Sequence, residues 1–360
     1  MTSITRTSLL AGLACTVALA SGCGSGSSSP DAAKATKTTT AAAAAKQVSA
    51  VSVGVKAPGL IAFRRYTDMT QAEGAVFTIK PDGSGEQQVT HPPANYVDDQ
   101  PAFSADGSKI AFERCPTASP KPCRVWTVDR DGGGEREVPA RCPTGPASAC
   151  DRSGPAWSDD GRLAVNLASG PIKSGDWGNQ IEHSEITVLD LKRGTQRAIA
   201  HLDHWQGDIG SPAWSPDGKR VVYQRQWSPI SHKIGLALFV VPAKGGTAQR
   251  LTAEDIAGGD HAVWSPDGKW IAFRTHADQE PGEGATELSL IHPDGSGLRH
   301  LKTPEDDVLS SGFSPDGEWI TFGAPGVGGT YDIWAMRVNG SDMHPITRTK
   351  TWDSAPDWGP

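Results

Sequence analysis

Apolar residues in this chain come in short β-branched or aromatic runs, and between them one polar tetrad keeps returning. Its most legible copies are Trp214-Ser215-Pro216-Asp217-Gly218, leading into Val221-Val222-Tyr223, and Trp264-Ser265-Pro266-Asp267-Gly268, leading into Ile271-Ala272-Phe273. Variants stand at Phe103-Ser104-Ala105-Asp106-Gly107, Trp157-Ser158-Asp159-Asp160-Gly161 and Phe313-Ser314-Pro315-Asp316-Gly317, with a worn copy at Asp357-Trp358-Gly359-Pro360. The Asp-Gly positions 106, 160, 217, 267 and 316 lie 54, 57, 50 and 49 residues apart, a period that belongs to repeat architectures and to propeller blades in particular. The turn chemistry agrees: Pro presets the first corner, Asp bonds its own backbone, and Gly takes the positive φ that ends the turn. Each tetrad is expected to be a hairpin turn between two strands.

A second turn follows each Asp-Gly, as at Arg130-Asp131-Gly132-Gly133, Lys244-Gly245-Gly246 and Pro293-Asp294-Gly295-Ser296-Gly297. Strand-like runs such as Val125-Trp126-Thr127-Val128 precede it, and short ones such as Arg250-Leu251-Thr252 follow. Four antiparallel strands per unit make one blade. The first unit, Leu60 to Thr90, lacks its innermost strand, and Asp353-Ser354-Ala355-Pro356-Asp357-Trp358 is an innermost strand without a unit. The expected fold is therefore all-β: a six-bladed propeller of four-stranded antiparallel blades over residues 58–360. A C-terminal strand would complete the first blade and remove exposed sheet edges.

Composition changes this picture mainly at the N-terminus. Arg6, the apolar stretch Ser8 to Ala20 and then Ala20-Ser21-Gly22-Cys23 form a secretory signal over residues 1–22 of the lipoprotein type, with Cys23 as the lipidated residue. Residues 23–57 are Ala, Thr, Ser, Gly and Lys with almost nothing to bury, which predicts a flexible tether. Flexible-coil scaling gives such a segment a reach of about 30 Å. The expected location is the outer face of a bacterial cell membrane, reached by export and held by the lipid alone.

Charge divides at the same boundary. Beyond residue 56 the chain carries 29 basic and 40 acidic residues, a balance that repels phosphate backbones and makes nucleic acid an unsuitable partner. Apart from Cys15 in the signal and Cys23, four cysteines remain, Cys115 with Cys123 and Cys142 with Cys150, each pair eight residues apart. Two local disulfides are expected in an oxidising compartment. The same four thiolates are formally a zinc set, although neither pair has the short ligand spacing such sites use.

In a propeller the turns within strand pairs one-two and three-four emerge on one face, and the two-three and inter-blade loops on the other. Here the first class is short and uniform, and the second is long and variable, so the loop-rich face is the expected functional one. Three of its loops carry a tryptophan outside the repeat: Trp177, Trp205 and Trp227. They suit peptide or sugar contact, or each folds back on its own blade. His201 and His204, with His183 and His232 on nearby loops and His261 heading the fifth blade, raise the question of a metal or catalytic centre, but no paired ligand spacing occurs and no metal or cofactor is expected. No nucleophile-elbow motif is present. Asp99, Asp260 and Asp353, which open innermost strands, are candidate linings of the channel mouth.

The Trp/Phe-Ser-Pro-Asp-Gly-x-x-Ile-Ala-Phe repeat, with its Ile-Trp-x-x and Asp-Gly-Ser-Gly partners, resembles the propeller repeat of the TolB family over residues 60–360. The resemblance implies a protein-docking platform in the bacterial envelope that receives a peptidoglycan-associated lipoprotein at the channel mouth. The α/β domain that precedes the propeller in that family is replaced here by the tether. Similar repeats occur in oligogalacturonate lyases, whose metal-binding histidines find no residue-by-residue match in this chain. The expected function is a monomeric, non-catalytic lipoprotein module binding an envelope or extracellular protein or glycan. The alternative is a metal-dependent polysaccharide lyase or hydrolase using the loop histidines.

Overall fold

In a computed structural model of the protein, residues 55–360 are described apart from 68–69, 118–121, 146–149, 176–177, 205, 228–234, 254–257, 277–285, 304–306 and 327–328. The signal, Cys23 and nearly all of the tether lie outside the described residues. The first repeat unit forms β1 (Leu60–Tyr66), β2 (Gly74–Ile79) and β3 (Gln87–Gln88). The second forms β4 (Tyr96–Phe103), β5 (Lys109–Pro116), β6 (Arg124–Asp129) and β7 (Arg136–Glu137). There follow β8 (Asp151–Trp157), β9 (Leu163–Gly175), β10 (Gly178–Asp190) and β11 (Thr195–Asp203), then β12 (Asp208–Trp214), β13 (Arg220–Trp227), β14 (Gly235–Pro242) and β15 (Gln249–Arg250). The last units are β16 (Gly258–Trp264), β17 (Ile271–His276), β18 (Thr286–Ile291) and β19 (Arg299–Leu301), then β20 (Ser311–Phe313), β21 (Trp319–Pro325), β22 (Tyr331–Arg337) and β23 (His344–Pro345), and finally β24 (Trp352–Gly359).

The described residues contain no helix. The units from β8 to β23 are four separate four-stranded antiparallel sheets, a β-propeller architecture. The first two units share one eight-stranded sheet because Gly74 and Val97 make a single parallel bridge between β2 and β4. The strand β24 pairs antiparallel with β1, from Leu60↔Gly359 to Tyr66↔Trp352. The indole Nε1–H of Trp358 donates to the Pro58 carbonyl at 3.0 Å, fixing the start of the described chain to its end.

The repeated tetrads are self-contained turns. Ser215 Oγ donates to Asp217 Oδ1 at 2.6 Å and accepts the Arg220 N–H at 2.9 Å, while the Gly218 N–H donates to the Ser215 carbonyl at 2.8 Å. Glycine is needed there because φ is +64°. The same Ser-to-Asp bond recurs at Ser104, Ser158, Ser265 and Ser314. Hydroxyl and backbone donors hold Asp106 and Asp267 down to about 2.

The aromatic residue that opens each tetrad packs between sheets. Trp214 and Trp264 are buried among Tyr223, Val241, Leu238 and Phe273, and Trp157 packs half-buried against Leu163 and Val165. Interleaving apolar layers of neighbouring sheets in this way supplies the main stabilisation, at about 25 cal/mol for each Å² removed from water.

Candidate functional site

The innermost strands β4, β8, β12, β16, β20 and β24 each pack on the next in that order, and β24 packs in turn on β4. Their inward-facing segments line a central cavity of about 220 Å³. Its shape comes from a recurrent β-bulge. Pairing to the second strand skips between Asp99 and Ala102, Ser153 and Ala156, Gly210 and Ala213, and Asp260 and Val263. Inside those bulges Gln100, Gly154, Ser211 and His261 have φ of 51°, 56°, 48° and 49°, and Ala355 of β24 has 54°. Pro101, Pro155, Pro212 and Pro356 follow four of them, and a proline, which lacks the N–H, fits a bulge where the ladder is already interrupted. Left-handed backbone at four non-glycine residues is strain held in place by the surrounding sheets.

The bulges turn side chains toward the channel. Gln100 Nε2 donates to His261 Nε2 at 2.9 Å, so a single hydrogen bond spans from β4 to β16, which are not neighbours. Asp357 also lines the cavity and accepts the Phe103 N–H at 2.7 Å. Burial pushes its carboxyl up to about 6.

At the other end of the same strands, buried charges pair with one another. Arg64 of β1 donates to Asp99 and to Ser354. Arg65 grips Asp353 through Nε at 2.7 Å and Nη2 at 2.8 Å, and reaches Glu86 at 2.6 and 2.9 Å. The next unit repeats this triad, with Arg114 on Asp98 at 2.6 and 2.8 Å and on Glu135 at 2.6 and 3.2 Å. Glu113 stands opposite Asp99 in the β4–β5 register and accepts the Gly154 N–H at 3.1 Å. Burial first, and then the Asp99 charge, push its carboxyl up. Asp208 accepts from Ser184 at 2.6 Å and from the Ile209 N–H at 2.8 Å, and burial raises it too.

The sequence-predicted residues do not gather into one patch. Asp99 and Asp353 are buried, at 4 % and 0 % exposure, and serve as partners of Arg64 and Arg65 instead of presenting free carboxylates at a mouth. Asp260 pairs through its backbone with Arg274, and its side chain lies outside the described residues, as do Trp177 and Trp205. Trp227 lies back over β14: Arg250 and Arg225 stand over its ring at 5.1 and 5.9 Å, and a Cβ on Gly235 would come within 2.1 Å of it. His201 is exposed and stacks on His183, with ring centroids 6.4 Å apart. The His183 ring is held by Asp203 at 2.5 Å and Glu185 at 3.2 Å, an arrangement that lowers Asp203. His204 sits in a turn with φ of 56°, its N–H on the Glu182 carbonyl at 2.8 Å. Among the described residues no group of three or more His, Cys, Asp or Glu has the geometry to hold a metal ion.

Cys115 and Cys123 form a disulfide, with Cα atoms 4.2 Å apart across the mouth of their loop. The second expected bridge, Cys142 to Cys150, is not formed. Cys150 is fully buried against Val125, Leu163 and Leu167, where its thiol packs as a small apolar group, and Cys142 sits at the edge of the same cluster.

Comparison with known proteins agrees with this geometry. Residues 154–360 match the family model described as the TolB beta propeller domain. The chain belongs to the TolB beta-propeller family. An uncharacterized protein of Agrobacterium fabrum is 33 % identical over 240 residues, covering 55 % of this chain and 73 % of that protein. An uncharacterized peptidase of Bacillus subtilis is 28 % identical over 204 residues, but the match spans only 29 % of that protein's length and 47 % of this chain. Among solved structures, TolB from Acinetobacter baumannii superposes with a TM-score of 0.63 at 19 % identity, over 84 % of this chain and 67 % of that one. The TolB-type propeller is thus the shared frame. Of the residues that line the cavity, Gln100, Ser311 and Asp357 were not singled out by sequence reasoning, although Asp357 was visible as the polar residue in the worn last copy; His261 was, but as a partner of the loop histidines, whereas it pairs with Gln100 in the cavity wall.

Proposed function

We propose that this protein is a membrane-tethered, non-catalytic docking module: a six-bladed propeller, closed by β24 on β1, carried on a flexible tether from a lipidated Cys23. Its partner is an envelope or extracellular protein or glycan, engaged by the loop-rich face. The observation that carries this reading is the contrast between that face's long, unlike loops and the mutual pairing of the charged groups beneath them. Arg64, Arg65, Arg114 and their carboxylates neutralise one another, which suits a rigid platform and leaves the loops to make contact. The engagement of His183 by Asp203 and Glu185 weighs against the metal-dependent lyase alternative, because both ring nitrogens already have acidic partners.

The test uses the full chain with Cys23→Ser as bait against envelope extracts. Trp177→Ala with Trp205→Ala on the loop-rich face should reduce capture of a specific partner at least about tenfold, the scale of one good interface residue. Lys219→Ala with Lys269→Ala on the opposite face should leave it unchanged. Equal loss from both faces, or a stoichiometric transition metal in the purified protein, would sink the reading.

A further inference from the structure

The central cavity carries a chemistry of its own. Where the other innermost strands place Ala102, Ala156, Ala213, Val263 and Gly312, one residue before the aromatic of the tetrad, β24 places Asp357. This carboxylate accepts the Phe103 N–H, and no cation among the described residues pairs with it. Ser311, on the adjacent β20, also lines the cavity. It is 4 % exposed and its hydroxyl has no hydrogen-bond partner. Neither lysine nor arginine occurs among the lining residues. The remaining wall is mostly prolines, alanines and aromatic edges, with Ser211 and Ser310 as further hydroxyl-bearing residues and the Gln100–His261 pair spanning the cavity.

A half-buried carboxylate without a cation and a buried hydroxyl without a partner are both costly when the cavity is empty of solute. An ammonium supplies three donors and one positive charge, enough for the Asp357 carboxylate, the Ser311 oxygen and a third acceptor, while its alkyl chain packs on proline and alanine. An anion would meet Asp357 unopposed, and a neutral alcohol would leave the negative charge uncompensated.

We propose that the central cavity is a binding site for an alkylammonium group, held by Asp357 and Ser311. The group arrives either as the side chain of a lysine on a docked partner or as a free polyamine. The site rests on the channel wall and not on the loops, so its failure would leave the docking reading of the loop-rich face intact.

The test is calorimetric titration of the full chain with cadaverine, with Nα-acetyl-lysine methylamide, and with 1,5-pentanediol as the uncharged analogue. One-to-one binding of at least one amine is expected, with no binding of the diol. Asp357→Asn should weaken the amine at least about tenfold, the cost of a charge-assisted bond. Ser311→Ala should weaken it by a smaller factor. A melting curve for Asp357→Asn no lower than that of the parent would exclude misfolding as the cause. If the lysine derivative binds at least as tightly as cadaverine, the source is a partner's side chain; if cadaverine alone binds, it is a free polyamine. Equal binding of diol and diamine, unchanged affinity in Asp357→Asn, or no saturable binding of either amine at about 10 mM would overturn the proposal.

Discussion

The two ends of the innermost-strand hairpins use aspartate in opposite ways. At the tetrad turns, Asp106, Asp160, Asp217 and Asp267 are solvated, take hydrogen bonds from neighbouring Ser and backbone donors, and have lowered pKa values. At the strand starts and in the cavity wall, Asp98, Asp208 and Asp357 are desolvated and raised. The first set is the same in every copy and builds turns. The second differs from copy to copy and holds the buried charge of the molecule. Repetition here marks the frame, and departure from the repeat marks what is particular to this chain.

The sharpest way to break the comparison is to remove β24. It supplies Asp353 to Arg65, Ser354 to Arg64 and Trp358 to Pro58, and it covers the edge of β1. Truncation after Thr351 should abolish cooperative folding or send the protein into aggregates, as an exposed sheet edge does. A truncated chain with an unchanged melting temperature by circular dichroism would show that β24 is dispensable. Next in size is Arg65→Ala, which strands Asp353 and Glu86 together without their cation. Removing one partner of a buried pair costs about 3–5 kcal/mol, so an unfolding free energy lower by that amount in urea titration is expected. An effect under about 1 kcal/mol would place this triad with surface pairs.

Much of the frame was legible in the residues. The Ser-x-Asp-Gly copies and their apolar followers mark β4 to β23 because tight turns need particular residues at particular places. The bulges were not read, although Pro101, Pro155, Pro212 and Pro356 mark them. The innermost strands β8, β12 and β24 are the edge strands of their sheets, where proline is tolerated, and there each proline follows the left-handed residue of the bulge. The buried triads escaped for another reason: Asp353, Arg65 and Glu86 are far apart in sequence and meet only through tertiary pairing. Asp99 and Asp353 looked like mouth residues because they open innermost strands, whereas burial makes them counter-ions. The Cys142–Cys150 expectation failed because even spacing says nothing about whether a thiol faces its twin or the core.

A third effect separates the two kinds of aspartate by sign. Folding raises Asp357 from 3.8 to about 6, so the folded chain holds the proton more tightly than the unfolded one. Its contribution to stability therefore falls as pH rises from about 4 to about 6 and is flat above. Asp357→Asn should remove that slope and raise stability at pH 7 by about 2 kcal/mol. Glu113 and Asp98, also raised, titrate in both proteins and cancel in the difference. A variant whose difference from the parent is the same at pH 4.5 and pH 7.5 would count against the desolvated state of this carboxylate.

The smallest effect belongs to the uniform face. Ser215→Ala removes one donor to Asp217 and one acceptor for the Arg220 N–H, in a turn that keeps its backbone bond from Gly218. The cost should be about 1 kcal/mol, one net hydrogen bond. Asp217 loses its largest stabilising donor, so its carboxyl should move back up toward the ordinary range, readable by NMR titration. Capture of a partner by the loop-rich face and amine binding in the channel should both be untouched. If Ser215→Ala instead impaired either, the repeated turns would be part of the binding surface, and the division between a repeated frame and a particular interior would fall.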